Sequence, residues 1–320
     1  MIRIGFFGCG GIAHEYQGRL DQRRDRAAVV AYCDVDEGRA RAFAEPRGAA
    51  AFADWRRMLE GARLDAVFCN LPPFARGEEL IAVAQAGCAI FSTKPLGLDL
   101  DGPRRTLAAI EVAGVVNSVG YMFRYSAVTE EVVRRLEGRS PTLLVGQVYG
   151  GMPGGWTARA DLSGGQLVEQ STHVFDLLRH LGGEATEAYA RGHSGAGGEI
   201  DYPDSTAVTL GLSSGAVGSV LSTVAVRKFF WGLTVIAPDL HLDVVYDDWT
   251  VRGVDRGERV DLHLPAAGYQ EQVDAFLHAV ETGDRSGIRS PYRDGCGTLA
   301  ATLAANRSLA SGRPEAVEAV

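Results

Sequence analysis

Residues 2–13 read Ile2-Arg3-Ile4-Gly5-Phe6-Phe7-Gly8-Cys9-Gly10-Gly11-Ile12-Ala13, and the fold is read outward from them. The apolar run Ile2–Phe7 reads as a strand, followed by a glycine-rich turn and a helix to about Leu20. Gly8 to Ala13 is the GxGxxA form of the dinucleotide fingerprint. Gly8 permits the tight turn, Gly10 lets the backbone approach a pyrophosphate, and Ala13 is small enough for close helix–strand packing. The helix N-terminus then aims amide hydrogens and a positive dipole at the phosphates. A second strand, Ala28–Cys33, ends at Asp34, placed to accept hydrogen bonds from the adenosine ribose hydroxyls. A 2′-phosphate would meet a like charge there. NAD is therefore the expected cofactor, with NADP as the alternative because Arg39 and Arg41 lie close in sequence.

The first third continues to alternate short apolar runs with helix-period segments, the pattern of a parallel sheet with crossover helices. Strands are expected at Asp65–Asn70, Ala89–Ser92 and Val115–Val119, and helices at Glu37–Ala44, Asp54–Leu59, Gly77–Ala86 and Pro103–Ala113. Beyond Gly120 a helix (Val128–Leu136) and a strand (Leu143–Tyr149) lead through a glycine-rich loop to a helix over Gln166–Leu181. Strands follow at Ser205–Leu212, Val217–Val226, Leu233–Ile236, Leu240–Tyr246, Trp249–Val254 and Glu258–Leu264, then helices at Tyr269–Thr282 and Asp294–Ser311. Glycine-containing turns between these strands favour antiparallel hairpins. The expected class is α/β. A Rossmann doubly wound parallel sheet over residues 1–120 precedes an α+β domain over residues 121–320, whose last helix (294–311) is expected to pack back on the first domain.

Composition narrows the function classes. A chain of 320 residues is long enough for two domains, and 46% hydrophobic with 22% charged residues is a globular balance. The net charge of −8 repels phosphate backbones, and the tightest basic run, Arg23-Arg24-Asp25-Arg26, is short and interrupted by an acid, so no nucleic-acid partner is expected. Five cysteines (Cys9, Cys33, Cys69, Cys88, Cys296) form no close pair and sit in apolar runs. With no leader-like N-terminus and no long apolar run, the expectation is a cytoplasmic protein with no membrane partner.

Two constellations carry candidate chemistry. Ser92-Thr93-Lys94-Pro95-Leu96 ends a strand of the sheet, where ligands of α/β folds bind, and the proline restricts Lys94 to an extended conformation. A lysine fixed there can hydrogen-bond a substrate oxygen and stabilise developing alkoxide charge, although a solvated surface lysine is the commoner case. In Ser163-Gly164-Gly165-Gln166-Leu167-Val168-Glu169-Gln170-Ser171-Thr172-His173-Val174-Phe175-Asp176, Ser163 and Gln166 have capping-box spacing. Glu169, His173 and Asp176 fall on one helical stripe, either a functional group or a solvated polar face. A zinc reading lacks a third and fourth ligand, and no metal is expected.

These pieces, in this order, resemble the glucose–fructose oxidoreductase/inositol dehydrogenase (Gfo/Idh/MocA) family. The likeness rests on the Gly8–Ala13 fingerprint, the Leu71-Pro72-Pro73 turn, Lys94-Pro95, and Gly120-Tyr121-Met122-Phe123-Arg124-Tyr125. The Gly164–Asp176 segment and Gly312-Arg313-Pro314 complete it. The resemblance implies a large open, mostly antiparallel sheet in the second domain and a homodimer or homotetramer built on its exposed face. It implies Lys94, Glu169 and His173 as catalytic groups, with Arg124 beside them at the substrate. It also adds Leu71, Pro72 and Lys94 to Gly8, Gly10, Gly11, Ile12 and Asp34 at the cofactor. Two positions depart from the family pattern: Thr93 replaces the glutamate of Glu-Lys-Pro, and Glu169 replaces an aspartate.

The expected activity is hydride transfer between a nicotinamide, lying at the crevice between domains, and a secondary hydroxyl or ketone of a sugar, inositol or related polyol. His173 would be general base, Glu169 its charge partner and Lys94 the group holding the oxygen. Three other readings stay open: a redox-neutral NAD-dependent glycosidase or lyase, a non-catalytic sugar or dinucleotide sensor, and a zinc alcohol dehydrogenase. Trp156, Arg159, Arg227, Lys228, Phe229, Phe230 and Trp231 either line a sugar pocket or serve as core and interface.

Overall fold

The computed structural model describes residues 1–320, which separate into two compact units. One comprises residues 1–122 and 269–294, the other residues 123–268 and 295–320. No helix is long and apolar enough to cross a membrane.

The first unit runs β1 (Ile2–Phe7), α1 (Gly11–Asp21), β2 (Ala27–Cys33), α2 (Glu37–Ala44), β3 (Ala50–Phe52), α3 (Trp55–Gly61), β4 (Ala66–Cys69), α4 (Glu79–Gln85), β5 (Ala89–Ser92), α5 (Asp101–Ala113) and β6 (Asn117–Val119). Its six strands pair in parallel in the order β3-β2-β1-β4-β5-β6, so the order reverses beside β1, the switch point where such sheets bind ligands. Register explains the core. Tyr32, Phe6, Phe68 and Phe91 are neighbours on β2, β1, β4 and β5, forming one aromatic row across the sheet. Phe68 and Phe91 stack with ring centroids 4.5 Å apart, and Phe6 meets Phe68 at 5.6 Å and Tyr32 at 5.5 Å. Each such pair adds about 0.5–1.5 kcal/mol beyond its buried area.

The same row decides where the helix Tyr269–Thr282 belongs. Its Phe276 packs edge-on to Phe68 (5.5 Å) and Phe91 (5.4 Å), with Val273 and Leu277 buried in the same core. The expected division at residue 120, with everything later in the second domain, is corrected accordingly. The chain returns to the first unit at Tyr269 and stays in it through Asp294, and residues 295–320 belong to the second unit. An i, i+3, i+4 stripe marks a buried face without saying which sheet it meets.

The second unit contains α6 (Ala127–Leu136), β7 (Leu143–Tyr149), α7 (Ala160–Ser163), α8 (Gly165–Glu169), α9 (Thr172–Gly182), β8 (Ala185–His193), β9 (Ser205–Leu212), β10 (Val217–Thr223), β11 (Phe230–Ala237), β12 (Leu240–Val245), β13 (Thr250–Asp255) and β14 (Glu258–His263). After α10 (Tyr269–Thr282) of the first unit come α11 (Tyr292–Ser311), which belongs to the second unit from Gly295 on, and β15 (Glu315–Ala316). The nine strands lie in the order β14-β13-β12-β11-β7-β10-β9-β8-β15. Every pair is antiparallel except β7 with β10. Strands β3, β8 and β15 have no counterpart in the sequence reading. β3 and β15 are too short to show a period, and β8 buries alanines where a strand usually announces itself with large β-branched side chains. Helix α9 packs on β7, where a Cβ on Gly146 would lie 2.8 Å from the Val174 Cβ; the glycine permits this close approach.

Candidate functional site

The fingerprint turn in the first unit is built as a phosphate cradle. Gly8 has φ +84°, and a Cβ on it would lie 3.0 Å from the Asn70 carbonyl, so only glycine fits. Its N–H donates to the Cys33 carbonyl (2.8 Å), tying the turn to the end of β2. Gly10 precedes α1 with extended backbone and no side chain capping the helix, and a Cβ on Gly10 or Gly11 would meet nothing within 4 Å. An uncapped N-terminus with open space before it leaves its amide donors for an anion. Ala13 is fully buried, Ile12 packs against the core, and Leu71 approaches Gly8 from the end of β4.

Asp34 follows β2. One carboxylate oxygen accepts the Cys9 N–H (2.8 Å) and the other the Asp36 N–H (2.9 Å), which fixes its orientation beside the turn. Asp36 caps α2 by accepting from the Gly38 and Arg39 amides. Arg39 lies 3.4 Å from Asp36 and Arg41 2.7 Å from Glu37, so both arginines that follow Asp34 in the chain have acidic partners. Cys9 is inert: burial, then the Asp34 charge and Cys33, push its thiol up to about 12. All five cysteines are free and buried.

At the carboxyl ends of β1, β4 and β5, Phe7, Cys69 and Ser92 are register neighbours, and Thr93-Lys94-Pro95 continues from Ser92 through a cis Lys94–Pro95 peptide. The first unit thus brings Gly8, Gly10, Gly11, Ile12, Asp34, Leu71, Pro72 and Lys94 to one edge of its sheet. A further signal for Lys94 lies in the composition. Of 32 basic residues only Lys94 and Lys228 are lysines, so a lysine at a strand end stands out against a chain that otherwise uses arginine.

In the second unit, the expected single helix over 166–181 is two. α8 ends at Glu169 and α9 starts at Thr172, with Gln170 (φ −109°, ψ −51°) between them, so Glu169 and His173 do not share one helical register. The expected capping box is also absent. Ser163 Oγ accepts the Gly165 N–H (3.0 Å) and donates to the Arg159 carbonyl (2.7 Å), while Gln166 is buried with neither amide atom bonded.

His173 is only 7% exposed and Asp176 1%, which rules out a solvated polar face. The His173 ring meets Phe123 and Trp231 edge-on, both at 5.5 Å, and Phe123 packs on Tyr246 at 4.4 Å. Trp231, open between pocket and core in the sequence, therefore walls the imidazole. Arg124 was expected at the substrate. Its Nε and Nη2 donate to Asp176, both at 2.7 Å, in a pair only 4% and 1% exposed. Thr298 Oγ1 donates to Asp176 (3.0 Å) and accepts from Arg179 (2.6 Å), and Arg179 in turn pairs with Glu184 (2.6 Å). Asp176 lies one turn along α9 from His173, so this network fixes the helix that carries the imidazole. Sequence reading missed Tyr202. Burial and then the Glu169 charge push its phenol up to about 12, and its hydroxyl donates to the Thr157 carbonyl (2.7 Å), so it lies within the field of that carboxylate.

Comparison with known proteins gives a consistent class. The model of the Gfo/Idh/MocA oxidoreductase family's NAD-binding Rossmann fold matches residues 2–121, and that of the family's C-terminal domain matches residues 139–238. Among curated relatives, the myo-inositol 2-dehydrogenase of Thermotoga maritima is 26% identical over 340 residues, covering 100% of this chain and 99% of its own. The 1,5-anhydro-D-fructose reductase of Ensifer adhaerens is 24% identical, with 99% of each chain covered. Among solved structures, the WlbA dehydrogenase of Bordetella pertussis, in complex with NADH and UDP-GlcNAcA, superposes with a TM-score of 0.85 at 24% identity, over 100% of this chain and 99% of that one.

Proposed function

The chain belongs to the Gfo/Idh/MocA oxidoreductase family, and from that premise we propose that it oxidises a secondary hydroxyl of a sugar, inositol or related polyol, or reduces the matching ketone, with NAD. The observation that carries this reading is Lys94, two residues past the carboxyl end of β5 in the sheet that presents the Gly8–Ala13 cradle. When bound, the nicotinamide supplies the hydride acceptor. Gly10 and Gly11 with the α1 amides would hold the pyrophosphate, and Asp34 the adenosine ribose; the Asp34 carboxylate and the acid-paired Arg39 and Arg41 favour NAD over NADP.

In this reading the Lys94 ammonium donates to the substrate oxygen and stabilises alkoxide charge as it develops. His173 removes the hydroxyl proton as general base, and Glu169 stabilises the imidazolium that results. Arg124 acts on His173 indirectly, by holding Asp176. The edge-on aromatic walls of Phe123 and Trp231 limit the ring's rotation. The three relatives act on or bind an inositol, an anhydro-ketose and a nucleotide sugar, so the shared chemistry is the carbinol and the differing part is the ring that bears it.

A homo-oligomer built on the nine-stranded sheet belongs to the same proposal. Leu143 on β7 and its register partner Val217 on β10 are 38% and 49% exposed, an apolar pair on strands that a second copy would cover; light scattering tests it. A cytoplasmic setting suits five unbridged cysteines.

The test is a panel of inositols, polyols and keto-sugars with NAD and NADP, following absorbance of the reduced cofactor. Net NADH formation from at least one polyol, or NADH consumption by a ketone, is expected. Turnover of a glycoside without net NADH would replace the dehydrogenase with a redox-neutral enzyme, and binding without turnover would replace it with a sensor.

A further inference from the structure

The turn that carries Lys94 lacks the acid expected before the lysine, since Thr93 occupies that position, and the structure shows what grips it instead. Arg76 follows the short 3-10 turn Pro73–Ala75 after β4 and reaches the end of β5. Its Nη1 donates to Ser92 Oγ (2.7 Å), and its Nη2 donates to the Thr93 carbonyl (2.7 Å) and to Thr93 Oγ1 (3.1 Å). The Thr93 N–H and Oγ1 both donate to the Cys69 carbonyl, at 2.9 and 3.0 Å, and Ser92 Oγ donates to the Thr93 carbonyl at 3.2 Å. The Thr93 carbonyl belongs to the peptide unit that leads into Lys94. Bonds from Arg76 on one side and from β4 on the other therefore fix the plane from which the lysine departs.

Two further observations separate this clamp from an ordinary surface arginine. Ser92 is fully buried and Thr93 4% exposed, so the half-buried guanidinium reaches inward to acceptors that lie away from water. The guanidinium has no carboxylate within ion-pair distance, and its Nε is buried with no hydrogen-bond partner. A half-buried cation kept on neutral acceptors, with one buried donor unsatisfied, departs from the usual pairing of buried polar groups. Such departures concentrate where function requires them.

We propose that Arg76 is the positioning residue for Lys94: it orients the Thr93–Lys94 peptide so that the ammonium meets the substrate oxygen. This rests on the reading of Lys94 as the group that holds that oxygen. Misplacing a reacting group by an ångström through a remote change costs on the order of 10²-fold in rate. Arg76→Met is therefore expected to lower kcat by about 10- to 100-fold with little change in the dinucleotide Kd, which removal of a positioning group predicts and removal of a binding group does not. Arg76→Lys keeps the charge and one donor direction and recovers part of the loss. Thr93→Val, which deletes the Oγ1 contacts to Arg76 and the Cys69 carbonyl and keeps the Arg76 bond to the Thr93 carbonyl, gives a smaller fall and serves if Arg76→Met does not fold.

The test that stands apart from turnover uses the scarcity of lysine. Protein grown with 13Cε-lysine shows two lysine signals, Lys94 and Lys228, assigned with a Lys228→Arg variant. Arg76→Met, or Thr93→Val in its place, is expected to move the Lys94 signal and leave that of Lys228 where it was. A Lys94 signal unmoved by both variants overturns the proposal whatever the kinetics do. A shifted Lys94 signal in a protein inactive on the whole panel upholds the clamp and removes the dehydrogenase reading instead.

Discussion

Lys94 and His173 belong to different units and are fixed by different chemistry, although an arginine is central to each. At Lys94 the guanidinium of Arg76 grips neutral acceptors, a hydroxyl and a carbonyl of the strand end itself, and the lysine follows in the chain. At His173 the guanidinium of Arg124 forms a buried ion pair with Asp176, which Thr298 and Arg179 extend, and the histidine rides on the helix so anchored. The first clamp works on backbone direction, so damage to it is felt as misplacement. The second works by charge compensation, so damage to it strands a buried charge and is felt as lost stability.

That contrast breaks if the two sides respond alike. The largest effect is expected at the imidazole: His173→Ala should lose about 10²- to 10⁴-fold in kcat, the range for a positioned general base, while dinucleotide affinity measured by fluorescence quenching is retained. Undiminished turnover would remove His173 from the reaction. Next comes the ion pair. Asp176→Ala leaves Arg124 buried without its partner and should cost about 3–5 kcal/mol in urea unfolding, while the charge-free pair Arg124→Met with Asp176→Leu restores most of it. Equal midpoints for Asp176→Ala and the parent protein would mean the pair does not anchor α9.

A smaller effect is expected at the cofactor. Asp34→Ser removes a charged acceptor and the repulsion of a 2′-phosphate, so the preference for NAD over NADP, measured as the ratio of kcat/KM, should fall about tenfold or more. An unchanged ratio would move the ribose elsewhere.

The smallest concerns Asp204, at the end of the loop that carries Tyr202. The Ala196 N–H holds its carboxyl well below the usual range, with His193 and the Gly195 N–H adding to this against the opposing effect of burial. Because the folded value lies below the unfolded one, the stabilisation is present above pH ~4 and is lost as pH falls further. The difference in Tm between the parent and Asp204→Asn should be constant from about pH 5 to 7 and shrink below about pH 4. A gap that widens on acidification would mean that the charged form is not the one the loop holds.

Much of the site was legible because its signals are local. Gly8 and Ala13 mark a turn and a helix–strand contact that favour small residues, Gly10 leaves open space before α1, and Asp34 follows at the end of the next strand. Lys94 stood out because a lysine–proline pair follows the end of a strand. Arg76 was missed: an arginine 17 residues before Thr93, in a loop after a 3-10 turn, shows nothing in sequence to connect it with the lysine. Tyr202 was missed for the same reason, since what brings it near Glu169 is the path of a glycine-rich loop. The helix break at Gln170 was invisible because apolar periodicity runs on through the interruption.

By itself the sequence determined the parallel first sheet, the glycine-rich turn that opens α1 and the run of antiparallel strands, since each is encoded within one strand, turn or helix. Only the tertiary structure decided that Phe276 completes the aromatic row of the first sheet, that Arg124 faces Asp176 across 52 residues of chain, and that Arg76 supports the lysine turn. Pairing of this kind depends on which surfaces meet once the elements pack. The free energy that selects the partner comes from burying both together, and neither segment carries that information alone.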